Sequence, residues 1–227
     1  MLTIVTFRWG KKYGPEYVRR LEAGVRRHLT RPHRFRVIAD REGACGLSQL
    51  VWRIPVEDEP LLAVPGCFAR LRLFDRDWQT STGIWPDGRV VCMDLDTVIT
   101  GPLDPLFERP EPFVVFAGAN ASNPCPFNGS LWMLRAGYRP DVWADFSLAA
   151  ARETPIYAFP DDQGWFAARM PDAATWRAGP SSGVYAFRKP GWPGGNDLPA
   201  GARMVVFPGF RDPSHFADLP WVKAHWR

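Results

Sequence analysis

The stretch Val90-Val91-Cys92-Met93-Asp94-Leu95-Asp96 decides the fold of this 227-residue chain. Four apolar residues in a row, two of them valines, predict a buried central strand. Asp94 and Asp96 follow at once, and residues two apart point to the same side when the chain is extended. Ligands of open α/β sheets bind at the carboxyl ends of the strands. The stretch therefore predicts an α/β protein with two carboxylates that face one ligand cleft.

Two carboxylates in one cleft repel each other unless a cation or a proton lies between them. Oxygen ligands suit Mg²⁺ or Mn²⁺, and these ions in turn hold phosphate oxygens. Asp94 and Asp96 are thus predicted to bind a metal and a diphosphate. Haloacid-dehalogenase-like phosphatases also carry an Asp-x-Asp pair, with the first Asp as the nucleophile. Their pair ends the first strand of the chain, and Asp94 lies too far from the N-terminus for that position.

The chain begins with a β-α-β unit. Residues 2–7 form a short apolar run that predicts a buried strand, and residues 35–40 predict a second one. Between them, Gly14-Pro15 opens a helix that ends before Pro32, because proline is tolerated in the first helical turn. Apolar residues recur every four positions along this helix: Tyr17, Leu21, Val25 and Leu29. Two strands joined by such a crossover are predicted to lie parallel.

The downstream segments complete a single domain, residues 1–227, with a mixed sheet. Three more apolar runs predict strands over 113–116, 129–134 and 204–207. Helical spacing predicts helices over 67–74 and 142–152, and another that begins near Asp161. Residues 171–201 are rich in Pro, Gly and Ala and are predicted to form a loop.

The composition excludes several classes of protein. Hydrophobic residues make up 46% of the chain and charged residues 23%, as in soluble globular domains, and 15 Phe with 11 Trp exclude disorder. No apolar run approaches the roughly 18 residues that a membrane-spanning helix needs. The four cysteines are scattered at positions 45, 67, 92 and 125, which argues against a structural zinc site and gives no sign of a disulfide framework. A cytoplasmic, reducing compartment is therefore expected.

Basic residues are concentrated near the N-terminus, with eleven Lys and Arg among residues 1–41. Such a segment attracts nucleic acid, an anionic membrane or a phosphorylated small molecule. It is equally consistent with a helix whose arginines only solvate one face. Because basic clusters are few beyond residue 41, no nucleic-acid partner is expected.

Several short motifs occur together along almost the whole chain, and their order carries a resemblance. They are Ile4-Val5-Thr6-Phe7, Tyr13-Gly14-Pro15-Glu16-Tyr17-Val18, Ala69-Arg70-Leu71, residues 93–107 around the Asp-x-Asp pair, Phe127-Asn128-Gly129, Asp162-Gln163 and Val205-Val206-Phe207-Pro208-Gly209. With these motifs the chain resembles GT-A glycosyltransferases of the family 8 type, the group that includes glycogenin and bacterial galactosyltransferases. Within that group it resembles small bacterial and phage glycosyltransferases more closely.

The resemblance implies a fold and an activity. The fold is the GT-A nucleotide-diphospho-sugar transferase fold, a Rossmann-like mixed central sheet flanked by helices. The activity is metal-dependent transfer of a hexose from a UDP-sugar to an unknown saccharide, lipid or protein acceptor, with retention at the anomeric carbon. The implied cofactor is Mn²⁺ or Mg²⁺.

The resemblance also implies roles for individual residues. Asp94 and Asp96 match the metal-binding pair, and Asp94 also lies near the ribose and the sugar. Asp162 and Gln163 match the catalytic pair under the sugar ring, where Asp162 fixes sugar hydroxyls and Gln163 lies near the anomeric carbon. The remaining donor-binding matches are Thr6, Phe7 and Tyr13 at the nucleoside, Arg70 and Arg211 at the diphosphate, Asn128 and Gly129 at the sugar, and Leu95 and Gly209 along the cleft.

Three of these matches also have purely structural interpretations. Arg70 is consistent with a helix-surface cation, and Asn128-Gly129 is consistent with a turn before a strand. Asp161-Asp162 is consistent with an N-cap pair. The sequence alone leaves these alternatives open.

One segment departs from the family pattern. Relatives usually carry His-Gly-x-x-Lys-Pro near the C-terminus, where the His is the third protein ligand of the metal and the Lys contacts the diphosphate. Here that segment is Pro208-Gly209-Phe210-Arg211-Asp212-Pro213. Arg211 offers a charge one position early, and His215 and His225 are the candidate nitrogen ligands. The departure supports a second hypothesis, a non-catalytic nucleotide-sugar-binding protein with a degenerate metal site.

Overall fold

The computed structural model of the protein describes residues 1–40, 51–120, 124–154 and 160–227, so Cys45 lies outside the described residues. The strands are β1 (Leu2–Arg8), β2 (His33–Ala39), β3 (Val51–Arg53), β4 (Arg89–Met93), β5 (Thr97–Ile99), β6 (Phe113–Ala117), β7 (Phe127–Arg135), β8 (Ala174–Arg177), β9 (Val184–Ala186) and β10 (Met204–Val206). The α-helices are α1 (Pro15–His28), α2 (Glu59–Leu62), α3 (Arg76–Ser81), α4 (Asp104–Phe107), α5 (Asp141–Ala144), α6 (Leu148–Glu153), α7 (Asp162–Arg169) and α8 (Pro220–His225). Short 3₁₀ helices span Val56–Asp58, Phe68–Phe74 and Pro213–Phe216.

Seven strands form the central sheet, in the order β3-β2-β1-β4-β7-β6-β8. β1 is parallel to both β2 and β4, which confirms the predicted β-α-β opening. β7 runs antiparallel to its neighbours β4 and β6. The sheet is therefore mixed, as predicted, and β4 with its two aspartates lies at its centre.

A second sheet of three strands, in the order β5-β10-β9, lies against the end of β4. β10 is antiparallel to β5 and parallel to β9. Beyond the paired residues, the Phe207 N–H donates to the Asp96 carbonyl oxygen over 3.1 Å. This bond places the end of β10 next to the second aspartate of the pair.

The core consists of two clusters of buried side chains. One includes Ile4 of β1 and Leu21 of α1, and the other includes Val5 of β1 and Trp132 of β7. Neighbouring residues of β1 thus enter different clusters, because successive side chains of a strand point to opposite faces. Burial on both faces explains why the central strands are almost uniformly apolar in sequence.

The structure corrects the helix predicted over 142–152. That segment forms two short helices, α5 and α6, with Ser147 between them in an extended conformation at φ −147°. The Ser147 hydroxyl accepts the Ala150 N–H over 3.0 Å. A serine that caps the backbone in this way favours a new helix start over continuation of the helix.

The prediction of a loop over 171–201 was wrong for two segments. Ala174–Arg177 forms β8, parallel to β6 at the sheet edge, and Val184–Ala186 forms β9, parallel to β10. Both are short, and their partners are distant in sequence, so local composition carried no signal for them. β3 and β5 are similarly short and were not predicted either. The helix predicted over 67–74 is a 3₁₀ helix.

A membrane-spanning helix is absent from the described ranges, where every helix is too short or too polar to cross a bilayer.

Candidate functional site

The two aspartates lie at the carboxyl end of β4, as predicted. The Asp94 N–H donates to the Ser130 carbonyl oxygen of β7 over 3.0 Å, so the chain leaves β4 in a fixed direction. The Asp94 side chain is 35% exposed, whereas Asp96 is only 6% exposed. One carboxylate therefore faces the cleft openly, and the other lies beneath the surface.

Asp96 is held by a tyrosine from the loop after β1. The Tyr13 hydroxyl donates to Asp96 Oδ2 over 2.6 Å. Burial and, to a smaller extent, the negative charge of Asp94 together raise the pKa of Asp96 to about 7, although the Tyr13 hydrogen bond opposes this rise. The same environment raises the pKa of Tyr13 well above its ordinary value, so the tyrosine remains a donor. Asp96 is thus a carboxylate that a nearby positive charge would stabilise in its ionised form.

Arg70 lies behind the cleft and joins both sides of it. It is 5% exposed, and its Nη1 donates to Asp94 Oδ1 over 2.5 Å and to the Gly129 carbonyl oxygen over 2.9 Å. Its Nη2 lies 2.6 Å from Asp162 Oδ2. Burial lowers the pKa of Arg70, but the charges of Asp162 and Asp94 outweigh that effect and hold the pKa well above its ordinary value. The alternative of a helix-surface cation is therefore wrong, while a contact with the donor diphosphate stays a prediction.

Gly129 leaves room for the Arg70 guanidinium where it crosses β7. A Cβ atom at this position would lie 2.5 Å from Arg70 Nη2 and 3.1 Å from Asp162 Oδ1. Asn128 and Gly129 both belong to β7, so the alternative of a turn before the strand is wrong. The Asn128 side chain accepts the Ser130 N–H over 3.0 Å, which ties it to its own strand.

Asp162 and Gln163 begin α7, on the β7 side of the cleft. Asp161 is the N-cap, since its side chain accepts the Gly164 N–H over 2.7 Å, and Asp162 is left to face Arg70. Burial raises the pKa of Asp162 to about 7, and the charge of Arg70 opposes that rise. The Gly129 N–H donates to Gln163 Oε1 over 3.1 Å. The predicted catalytic pair and the predicted sugar-side residues thus lie in one bonded cluster.

The end of β1 contains a functional candidate that the sequence motifs missed. Arg8 is 6% exposed, and its Nε donates to the Tyr13 carbonyl oxygen over 3.0 Å. Its buried Nη1 has no hydrogen-bond partner, and no carboxylate in the described residues pairs with it. An arginine at the end of an apolar strand is the signal that was available in the sequence. Of the predicted nucleoside contacts on this strand, Thr6 and Phe7 are both buried.

Leu95, predicted to border the donor, is buried in the core between the two aspartates.

The segment after β10 adopts an open loop. Gly209 has a φ of +79°, which favours glycine, and Phe210 is 83% exposed. The Arg211 guanidinium lies 4.8 Å from the centre of the Phe210 ring. Asp212 accepts the Tyr17 hydroxyl over 2.7 Å and caps the 3₁₀ helix by accepting the Ser214 N–H over 2.8 Å. Asp212 therefore has a structural role in this loop.

Neither candidate nitrogen ligand joins the aspartate pair. His215 is exposed on the 3₁₀ helix, and the His225 ring lies 6.0 Å from the ring of His28. Across the parts of the chain that the structure describes, no group of three or more His, Cys, Asp or Glu side chains is placed to hold a metal. Among the described residues, Asp94 and Asp96 therefore remain as the metal-binding candidates.

The pair nevertheless fits Mg²⁺ or Mn²⁺ in chemistry. Asp94 and Asp96 each use one carboxylate oxygen for a hydrogen bond within the described residues, which leaves the other oxygen available. Mg²⁺ is commonly bound by one or two carboxylates, with waters and substrate phosphates as the remaining ligands. Asp94, Asp96 and Asp162 carry three negative charges against the single charge of Arg70, so the ionised cluster has a net charge of −2 that a divalent cation would neutralise.

Two solved structures with a similar fold are glycosyltransferases. The galactosyltransferase LgtC, crystallised with donor and acceptor sugar analogues, aligns with a TM-score of 0.58 over 99% of this chain and 96% of its own, at 12% identity. The glycosyltransferase GlyE of Streptococcus pneumoniae TIGR4 aligns with a TM-score of 0.64 over 94% of this chain, at 10% identity. The protein has the GT-A glycosyltransferase fold. This GT-A domain spans 56% of the GlyE chain.

At these identities the likeness establishes the fold and not the substrates. No family model matches the chain, and no curated protein matches it in sequence. The residues that could give this GT-A domain an activity are therefore those of the cluster around Arg70.

Proposed function

We propose that the protein is a metal-dependent glycosyltransferase that moves a hexose from a UDP-sugar to a saccharide, lipid or protein acceptor, with retention at the anomeric carbon. One observation carries the proposal. Arg70 joins Asp94, from the predicted metal pair, to Asp162, from the predicted sugar-binding pair, through contacts of 2.5 and 2.6 Å. A buried guanidinium fixes both groups in one cleft, at the edge of the sheet where α/β folds bind ligands.

The order of the strands supports one orientation of the donor. β4, with Asp94 and Asp96, lies between β7 and β1. Asp162 and Gln163 lie on the β7 side, whereas Arg8 and Tyr13 lie on the β1 side. A donor whose diphosphate lies at the aspartates and whose hexose lies over β7 therefore directs its nucleoside toward β1.

Arg8 suits the nucleoside end of that donor. Its Nη1 is a buried donor that has no partner among the residues that the structure describes. A buried polar group that lacks a partner costs free energy, and a ligand acceptor removes that cost. A carbonyl oxygen of uracil supplies such an acceptor.

The aspartates would hold the metal, with Tyr13 orienting Asp96 and Arg70 orienting Asp94. A bound Mn²⁺ or Mg²⁺ supplies charge neutralisation at the departing diphosphate. The half-buried Arg211, in the loop that follows β10, is the proposed second positive charge at the diphosphate.

The transfer itself exchanges two bonds at the anomeric carbon. An acceptor hydroxyl oxygen bonds to this carbon, the bond to the diphosphate oxygen breaks, and the diphosphate leaves with the electron pair. The hydroxyl proton is taken up by the released diphosphate. Asp162 orients the sugar hydroxyls, and the Gly129 N–H fixes the Gln163 amide. An amide is a weak nucleophile, so we assign no covalent intermediate to Gln163.

Substitution of the aspartates tests the proposal. Asp94→Asn and Asp96→Asn should each abolish Mn²⁺-dependent turnover of the UDP-sugar while the protein remains folded, because asparagine keeps the size and removes the charge. Asp218→Asn, at an exposed position on the C-terminal side of the 3₁₀ helix, is the matched control. If both site variants retain wild-type turnover and metal dependence, the proposed metal site is wrong.

A second candidate function is favoured by Pro208. Proline cannot ligate a metal, and it occupies the position at which relatives carry the third ligand. The alternative is a non-catalytic protein that binds nucleotide sugars without a metal. Binding of UDP that persists in EDTA, with neither hydrolysis nor transfer across an acceptor panel, would support it.

A further inference from the structure

A cavity of about 480 Å³ opens in the loop after β9. We call it the Arg188 pocket. It is lined by Arg188, Lys189, Trp192, Gly194, Gly195 and Asn196.

The pocket opens at the same edge of the small sheet as Asp96. Phe187 donates its N–H to the Val206 carbonyl oxygen, and Phe207 donates its N–H to the Asp96 carbonyl oxygen. Asp96, the end of β10 and the end of β9 therefore lie in one row. Because adjacent strands lie about 4.8 Å apart, the backbone of Phe187, directly before the first pocket residue, is roughly 10 Å from the Asp96 backbone.

Arg188 is held in a defined position at the mouth of the pocket. Its φ of +54° is in the left-handed region, which is unfavourable for a residue with a side chain. Its Nη2 donates to Asn196 Oδ1, and the guanidinium lies 5.1 and 5.3 Å from the ring centres of Phe187 and Phe216. Strained residues with side chains tend to occur at functional sites.

The pocket offers positive charge without a protein anion to neutralise it. Neither Arg188 nor Lys189 forms an ion pair with another residue in the described ranges. Two unpaired cations in one cavity attract an anionic group, and a guanidinium binds phosphate or carboxylate through two parallel hydrogen bonds.

The floor of the pocket is aromatic and rigid. Trp192 packs edge-on against Phe187 at 5.0 Å, and its indole N–H already donates to the Gly195 carbonyl oxygen. Trp221 ties the loop down by donating to the Asn196 carbonyl oxygen over 2.8 Å. The half-buried Trp192 ring therefore presents apolar surface, which suits the C–H face of a sugar ring.

We propose that the Arg188 pocket binds the acceptor, and that this acceptor is a saccharide carrying a phosphate or carboxylate group. The inference rests on the proposed transferase function, since it assigns the acceptor of that same reaction. The anion contacts Arg188 and Lys189, and the sugar ring lies against Trp192. An acceptor hydroxyl then extends past Asp96 toward the anomeric carbon of the donor.

Calorimetric titration with three probes tests the pocket, in the presence of UDP and Mn²⁺ and again in their absence. Glucose 6-phosphate and glucuronate should each bind at least about tenfold more tightly than glucose, which corresponds to one charge-assisted hydrogen bond. The two anionic probes separate phosphate recognition from carboxylate recognition. Equal affinity for all three sugars overturns the proposal.

Substitutions in the Arg188 pocket test whether the anionic sugars bind there. Arg188→Gln and Lys189→Gln should each remove about tenfold in affinity for the anionic probe. Arg188→Gly removes the same charge and suits the left-handed backbone, so it covers the case in which Arg188→Gln misfolds. Arg177→Gln, an exposed arginine on β8, is the control and should bind as wild type. Unchanged affinity in the Arg188 and Lys189 variants overturns the proposal. UDP binding recorded in the same samples reports separately on the donor site.

Discussion

Tyr13 donates its hydroxyl hydrogen to Asp96 over 2.6 Å, although 83 residues separate them in the chain. Tyr13 follows β1 and Asp96 follows β4, and these strands are parallel neighbours. The bond therefore closes one side of the cleft and occupies one oxygen of Asp96. The other carboxylate oxygen of Asp96 is left for a cation, and the affinity for that cation depends on whether Asp96 carries a proton.

Mn²⁺ affinity should rise with pH up to about pH 7 and then level off. The raised pKa of Asp96, about 7, means that a proton must leave before the metal binds at lower pH. Tyr13→Phe removes the bond that opposes this rise, so the pKa of Asp96 increases and the plateau moves to higher pH. Mn²⁺ titration by electron paramagnetic resonance at several pH values measures both effects. Tyr17→Phe, which breaks a similar bond to Asp212, should keep the wild-type profile. An unshifted profile in Tyr13→Phe contradicts the role given to the bond.

Arg70→Met should lower the free energy of unfolding by about 3–5 kcal/mol, because it leaves Asp94 and the buried Asp162 without their cation. Urea denaturation measures this change. Adding Asp162→Asn to Arg70→Met should restore part of the loss, since one uncompensated charge is removed. If the double variant is as unstable as the sum of the two single variants predicts, the two residues are not coupled as described.

Arg8→Met should separate ligand binding from stability. The substitution removes a buried N–H that has no partner among the described residues, but it also removes the hydrogen bond from Nε to the Tyr13 carbonyl oxygen. These two effects oppose each other, so the free energy of unfolding should change little. UDP affinity should fall about tenfold or more, because a hydrogen bond from a charged group contributes about 1.5–3 kcal/mol. Affinity for pyrophosphate, which lacks the nucleoside, should not change. Loss of pyrophosphate binding would place Arg8 at the diphosphate instead.

Pro208→His should strengthen Mn²⁺ binding about tenfold or more, because an imidazole would be added directly after the residue that bonds to Asp96. Pro208→Gln is the control for loss of the proline ring and should bind Mn²⁺ as wild type. Equal affinities in both variants would show that position 208 does not face the metal.

The sequence was sufficient to predict the centre of the fold. Strongly apolar β4 and the β1-α1-β2 unit have local signals, and their ends determine where Asp94 and Asp96 lie. The short strands β5, β8 and β9 are stabilised by partners far away in the chain, so their own residues gave no clear signal.

The side-chain network was less accessible from sequence. Arg70 matched a position near the diphosphate, and only the packing shows that it is buried between Asp94 and Asp162. Gly129 leaves room for the Arg70 guanidinium where it passes β7, and it does not form a turn. Arg8 lay next to a predicted motif and was missed, because an unsatisfied donor is visible only when every neighbour is placed.

The most direct test of a metal-held donor site is the thermal shift produced by UDP in Mn²⁺ and in EDTA. At about 100 times its Kd, a ligand stabilises the folded state by about 2.7 kcal/mol, which for a chain of this size raises the Tm by about 5–10 °C. We expect this shift with Mn²⁺ present and expect EDTA to abolish it. A shift of the same size in EDTA, or no shift with Mn²⁺, would contradict metal-dependent binding of UDP by Asp94 and Asp96.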